Sequence, residues 1–333
     1  MNPHWLTRAT HRKLALLFVL TYLFGTHVLL GAKEDRFFFP RAPSTQAKIS
    51  VATSLVVVPV NVMDSHAAFV PGLKAENFQI QEDGRPQNIT LFREEDTPVG
   101  IGLVVDHSRS MGPKLPAVTL AVNAFAHSSN PRDEMFVVDF SDSVSVELMR
   151  GKPFTHDARE LQEAISAVSA LGQTSLYDAV AEALIHIELS QWDKKAIIIV
   201  SDGGDNASRM RFSELLERAQ RAHVLIYSIG LVDEAGEEEN PRVLQKLANA
   251  TGGLAFFTKR SDEAANLMKR IARDLREQYT LGYAPPASER PSFHRILVRV
   301  SSPGSGKLRV RARPGYFSNT SKPQSSPAAG YSQ

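Results

Sequence analysis

The chain has 333 residues, 43% of them hydrophobic, enough for one large core and a smaller second one. A formal net charge of +2 carries no signature of nucleic-acid binding. The absence of cysteine excludes a disulfide framework, a thiolate metal site and a lipidated cysteine.

At the N-terminus, Arg8, Arg12 and Lys13 precede Leu14–Ala32, a run without charge if His27 is neutral. A basic start and an apolar middle describe an export segment, and place the remainder in the cell envelope or outside the cell. At about 1.5 Å per residue the run nearly spans a bilayer. Residues 1–32 therefore read as a cleaved signal peptide or, alternatively, an uncleaved membrane anchor. A linker containing Pro and Ser follows over 33–47.

Residues 48–96 read as an N-terminal β segment. Ile49–Val62 is β-branched and partly alternating, one or two strands. Asp83-Gly84 separates two short alternating runs within 71–92, the strongest hairpin cue in the chain. Next comes Ile101-Gly-Leu-Val-Val-Asp-His-Ser-Arg-Ser-Met-Gly112, an aliphatic run that stops abruptly at Asp106. It predicts a buried parallel strand whose C-terminal end opens into a polar loop.

From there strands and helices alternate. The pattern predicts a helix over 116–128, a buried strand over 134–140 with an edge hairpin at 143–148, and helices over 157–171 and 175–189. It continues with strand 195–201, helix 211–222, strand 223–231, helix 240–250, strand 254–258 and helix 261–278. This is an α/β class, a doubly wound and mostly parallel sheet covered on both faces. Three short strands follow, Gln278–Tyr283, His294–Val300 and Lys307–Ala312. Isolated strands are marginal in water, so the N-terminal strands and those of 279–317 are expected to pair into one small β-sandwich with the α/β domain, 97–278, inserted between them. Residues 318–333 have the Ser, Pro, Gly and Gln content of a disordered tail.

The chemistry concentrates at the strand ends. Asp106, Ser108 and Ser110 alternate, so in extended backbone their oxygens face one side, half of an octahedron. A small hard cation needs six oxygens at about 2.1 Å. Thr174, in a loop before a helix, and Asp202, at the end of strand 195–201, are the candidates to complete the set. The competing reading is that these side chains only cap helices, as Asp, Ser and Thr commonly do.

The five positions, in this order and strand context, resemble the metal-ion-dependent adhesion site of the von Willebrand factor A domain. The flanks resemble the bacterial branch of that family, in the hairpin Pro71–Ile89 and the segments Tyr279–Pro285 and Arg311–Phe317. The resemblance implies a metal site of Asp106, Ser108, Ser110, Thr174 and Asp202. It implies Mg²⁺, with Mn²⁺ or Ca²⁺ as substitutes. Ser108, Ser110 and Thr174 would coordinate directly, and one or both aspartates directly or through water. An Asp or Glu carboxylate of a protein or matrix partner would fill the remaining position. The implied function is binding of the adhesion type.

The alternative is a Mg²⁺-dependent hydrolase of phosphate or ester substrates, and a third is a structural module with a metal but no ligand. The chain lacks a nucleophile elbow, a phosphate-binding glycine loop and a His-Glu-x-x-His helix, and it is read as non-enzymatic. Among neighbouring residues, His107 is expected at the surface, pointing away from the turn's oxygens. Asp142 reads as a turn residue, Asp178 as support for its helix. Asp205 and Asn206 read equally as a rim to the site or as loop residues. Glu234–Glu239 reads as a solvated acidic loop, and Arg309–Arg313 as a solvated strand face.

Overall fold

The strand Gly100–Asp106 is buried at every position and lies at the centre of a six-stranded sheet. The structure, a computed structural model, describes residues 55–94, 96–148, 151–232, 239–286, 291–302 and 306–318, all within the compact unit Ala52–Gln333. The export segment, the linker, the start of the first predicted strand, most of the acidic loop and the tail lie outside the described residues.

The N-terminal strands are β1 (Val56–Met63), β2 (Phe78–Glu82), β3 (Arg85–Gln87) and β4 (Leu91–Arg93). The α/β part then runs β5 (Gly100–Asp106), α1 (Leu115–Ser128), β6 (Glu134–Phe140), β7 (Val144–Glu147), α2 (Ala158–Ser166), α3 (Leu176–His186) and β8 (Lys195–Ser201). It ends with α4 (Phe212–Arg221), β9 (Leu225–Leu231), α5 (Pro241–Thr251), β10 (Ala255–Thr258) and α6 (Ala264–Arg276). Four strands close the chain, β11 (Tyr279–Tyr283), β12 (Phe293–Val300), β13 (Arg309–Ala312) and β14 (Gly315–Phe317).

The central sheet has the order β10-β9-β8-β5-β6-β7, parallel except for the edge strand β7. Alternate residues of β5 bury on opposite faces. Ile101, Leu103 and Val105 pack with Val118 and Phe125 of α1, Leu161 of α2 and Met268 and Ile271 of α6. Val104 joins Leu176 and Val180 of α3, Leu215 of α4 and Leu244 of α5. Two covered faces explain why β5 and β8 read as nearly unbroken apolar runs. Because β6 lies on one side of β5 and β8 on the other, the winding reverses at β5, and the crevice beyond the carboxyl ends of β5 and β8 is where such sheets place ligands.

Both ends of the chain build the second layer pair, two antiparallel four-stranded sheets of order β13-β1-β11-β4 and β14-β12-β2-β3. Val58 and Val60 of β1, Ile80 of β2, Leu281 and Tyr283 of β11 and Tyr316 of β14 share the core between them. Pro59 lies inside β1, but β13 begins pairing only at Val60, so the missing donor breaks no rung there. Asp83 (φ 50°) and Gly84 (φ 80°) form the two-residue turn between β2 and β3, the left-handed pair that this hairpin type requires.

The sandwich is joined to the α/β part through buried polar contacts. Asn61 Nδ2 donates to the carbonyls of Asp274 (2.9 Å) and Glu277 (3.0 Å) at the end of α6. Arg311 pairs with the Asp274 carboxylate and donates to the Gly252 carbonyl (2.7 Å), and Tyr227 Oη donates to Asp274 Oδ2 (2.6 Å). Arg311 is thereby part of an internal junction and not the solvated strand face expected for Arg309–Arg313.

One predicted helix is shorter than its apolar spacing suggests. The helix expected over 157–171 is capped by Asp157, whose carboxylate accepts from Arg159 N (2.8 Å), but it ends at Ser166. Leu171 is 65% exposed, so its apolar side chain marks no core face. The remaining residues turn back to the rim of the sheet, where Leu171 N donates to the His107 carbonyl (2.9 Å).

Candidate metal centre

Three connections meet beyond the carboxyl ends of β5 and β8: the turn after Asp106, the loop between α2 and α3, and the loop after β8. Asp106 is fully buried. Its Oδ1 accepts from Ser108 N (2.8 Å) and its Oδ2 from Ser201 Oγ (2.6 Å), which fix the carboxylate plane. Burial pushes the carboxyl up to about 6; the hydrogen bonds from Ser108 and Ser201 oppose this, and the charge of Asp202 adds to it.

After Asp106 the chain passes through Ser108 and winds into a 3₁₀ turn, Arg109–Lys114. Ser108 Oγ and Ser110 Oγ lie 3.2 Å apart, and Ser110 Oγ donates to Asp202 Oδ2 at 2.7 Å. Gly204 N donates to the other Asp202 oxygen at 3.1 Å, so the carboxylate is held by its own loop as well. Thr174 is buried in the wall of an open pocket of about 750 Å³ that Ser108, Ser110, Gln173 and Asn206 also line. The fold thus brings Ser108, Ser110 and Asp202 into direct contact and places Thr174 on the same pocket. Asp106 is tied in from beneath through Ser108 and Ser201.

This donor set fits a hard divalent cation. Oxygens at about 2.1 Å from an octahedral ion are about 3 Å from their nearest neighbours on the shell. The spacings of 2.7 and 3.2 Å around Ser110 match that edge. Two carboxylates and three hydroxyls, with no sulfur or imidazole, are the ligand chemistry of Mg²⁺, Mn²⁺ and Ca²⁺.

His107 departs from expectation. It points away from the turn's oxygens but is fully buried, not at the surface. Its Nδ1 lies 2.9 Å from Asp139 Oδ1, and its Nε2 lies 3.1 Å from the Ile165 carbonyl on α2. Alternation in the turn decided which way the ring points. It carried no information that a second layer of structure lies on that side.

Several residues around the site act in ways that spacing along the chain did not reveal. Ser201 orients Asp106. Asp142, read as a plain turn residue, accepts from Gln173 N (2.7 Å) and lines the pocket. Asn206 accepts from Thr174 N (2.8 Å). Asp178 accepts from Arg209 N (2.9 Å) and Met210 N (3.0 Å), and so supports the loop after β8 instead of its own helix. A separate group, Glu82, Asp83 and His294, lies in the sandwich. There His294 Nδ1 sits 2.8 Å from Asp83 Oδ2 and Arg295 N donates to Asp83 Oδ1 (2.8 Å), contacts that clamp the hairpin turn to β12.

The profile of the von Willebrand factor type A domain matches residues 101–270, and the chain belongs to that family. No curated protein matches the chain. Among solved structures, a von Willebrand factor type A protein from Catenulispora acidiphila is 13% identical, with 72% of each chain covered and a TM-score of 0.48. The von Willebrand factor domain of the type V pili tip protein Mfa5 from Porphyromonas gingivalis is 14% identical, covering 54% of this chain and 95% of that one, with a TM-score of 0.44. The pilus adhesin SpaC from Lactobacillus rhamnosus GG is 15% identical, covering 71% of this chain and 42% of that one, also at 0.44.

Proposed function

We propose that this protein is an exported binding module in which Asp106, Ser108, Ser110, Thr174 and Asp202 hold a divalent cation, Mg²⁺ in the first place. A partner protein or matrix component then docks through an Asp or Glu carboxylate on that ion. The observation that carries this reading is the meeting of Ser110 and Asp202, 92 residues apart, at 2.7 Å, with Ser110 on the wall of an open pocket. Two carboxylates cancel the charge of a divalent ion, and neutral hydroxyls leave it electrophilic, so an incoming carboxylate could take the place of a coordinated water.

A binding role fits the surroundings better than catalysis. His107, the titratable ring of the same turn, faces Asp139 and the Ile165 carbonyl, away from the pocket. The residues 1–32 would deliver the module to the cell envelope or beyond it. Among the described residues, no helix is long and apolar enough to cross a membrane.

The test is capture from envelope extracts on the immobilised protein, in Mg²⁺ and in chelator, beside the Asp202→Ala variant. Partners are expected to be retained only by the wild type in Mg²⁺. Capture that persists in chelator would assign binding to another surface.

A further inference from the structure

The loop that carries Thr174 has little regular structure of its own, since α2 has ended at Ser166 and α3 begins only at Leu176. It is held from outside, on both flanks. On one flank Thr174 N donates to Asn206 Oδ1 (2.8 Å), while the Thr174 carbonyl accepts from Asn206 N and Ala207 N (3.0 Å each). On the other flank Asp142 Oδ1 accepts from Gln173 N (2.7 Å), and the Ser141 carbonyl accepts from Ser175 N (2.9 Å) and Ser175 Oγ (2.7 Å). Gly172, at φ +81°, leaves room for this: a Cβ there would lie 2.2 Å from Asp142 Oδ2.

The same two loops are joined again one turn further on. Asp205 Oδ1 accepts from Tyr177 N (3.2 Å), at the first turn of α3. Asp178 of that turn in return accepts from Arg209 N and Met210 N. The loop that presents Asp202 and the loop that presents Thr174 therefore form one hydrogen-bonded body.

We infer that Asn206 is the positioning residue that sets the Thr174 hydroxyl in the metal's coordination shell, with Asp142 as its counterpart on the opposite flank. The inference rests on the metal-centre reading above. Asn206 acts through Thr174: its side-chain oxygen is engaged by the Thr174 amide, and its own amide by the Thr174 carbonyl. Loss of the side-chain acceptor leaves a buried N–H without its partner and frees one side of the Thr174 peptide.

The experiment is Mn²⁺ titration of the full chain, by calorimetry or by electron paramagnetic resonance, across four variants. Asn206→Ala is expected to weaken Mn²⁺ by about 10–100-fold, the usual effect of removing a group that orients a metal ligand. Asn206→Asp keeps the acceptor for the Thr174 amide and is expected to retain wild-type affinity or tighten it. In a Thr174→Ala background, the Asn206→Ala change is expected to add no further loss, because the hydroxyl it positions is gone while the backbone is unchanged. A purely structural role would give losses that add. Wild-type affinity in Asn206→Ala, or additive losses in the double variant, would overturn the positioning role and leave the metal centre standing. A wild-type chain that fails to bind Mn²⁺ would overturn both.

Discussion

Ser110 Oγ donates to Asp202 Oδ2 at 2.7 Å, so that the end of β5 and the end of β8 touch through two side chains before any ion is considered. The contact brings a hydroxyl and a carboxylate to the spacing of neighbouring ligands on an octahedral shell. A divalent ion bound between these two groups would need the hydroxyl proton to rotate off the carboxylate.

Thermal melting should report this directly. A ligand that binds only the folded state stabilises it by about 2.7 kcal/mol at 100 times its dissociation constant, and each kcal/mol moves the midpoint of a domain this size by roughly 2–4 °C. Saturating Mg²⁺ or Mn²⁺ should therefore raise Tm by several degrees in the wild type and leave Asp202→Ala unmoved. Equal shifts in the two proteins would remove Asp202 from the site.

Lys194 makes a prediction in the alkaline range. It is buried at the base of the α/β part, where its ammonium donates to the Leu275 carbonyl near Asp96, Asp133 and Asp274. Burial pushes it down to about 8, against the pull of those carboxylates. Between that value and the ordinary one of 10.5 the unfolded chain holds a proton that the folded chain has shed. Stability therefore rises with pH across this window. Denaturant midpoints at pH 7.5 and 9.5 should show the rise in the wild type and its absence in Lys194→Met.

The junction between the sandwich and the α/β part should be costly to break. Arg311 and Asp274 are 15% and 13% exposed, and removing one member of a buried pair costs roughly 3–5 kcal/mol. Arg218 and Glu214, on the surface of α4, are 48% and 53% exposed, and Arg218→Ala should cost under about 1 kcal/mol. Urea unfolding of Arg311→Ala and Arg218→Ala should separate the two. Similar losses would mean that the junction adds nothing to stability.

Gly203 follows Asp202 at φ +86°, and a Cβ there would stand 2.6 Å from the Asn240 carbonyl oxygen, a backbone atom with no easy retreat. Gly203→Ala should lower stability by roughly 1–3 kcal/mol, the range for an unfavourable backbone conformation held in place by its surroundings. It should also weaken Mn²⁺, because Gly204 N, which holds Asp202 Oδ1, would be displaced. An unchanged melting curve would show that the loop adapts.

The layered core was legible because β5 and β8 are nearly or wholly buried along their length and so appear as aliphatic runs, each followed by a helical period. The rim was legible for a related reason: β5 and β8 end sharply in oxygen-bearing residues, Asp106 and Ser201-Asp202. The pairing of strands from the two ends of the chain followed from the instability of either set alone. What stayed hidden was contact between segments remote in sequence. Asp142 acts on a backbone amide of another loop, and nothing in its own surroundings distinguishes it from an ordinary turn residue, while for Asn206 the sequence leaves a rim role and a loop role equally open. His107 was misplaced because a charged or polar type in a loop reads as solvated until the α2 carbonyl and Asp139 that enclose it are seen. Leu171 misled in the opposite sense, extending an apolar period past the point where the helix stops.

The register of β1 has a mechanical consequence. Val60 pairs with Tyr279, next to the end of α6, and Val56 pairs with Tyr283, further along β11. A pull along the axis of β1 is borne by both of its neighbours, since β1 is bonded to β11 on one side and to β13 on the other. In that direction the rungs are sheared together and share the load, where a pull across the strand would unzip them singly.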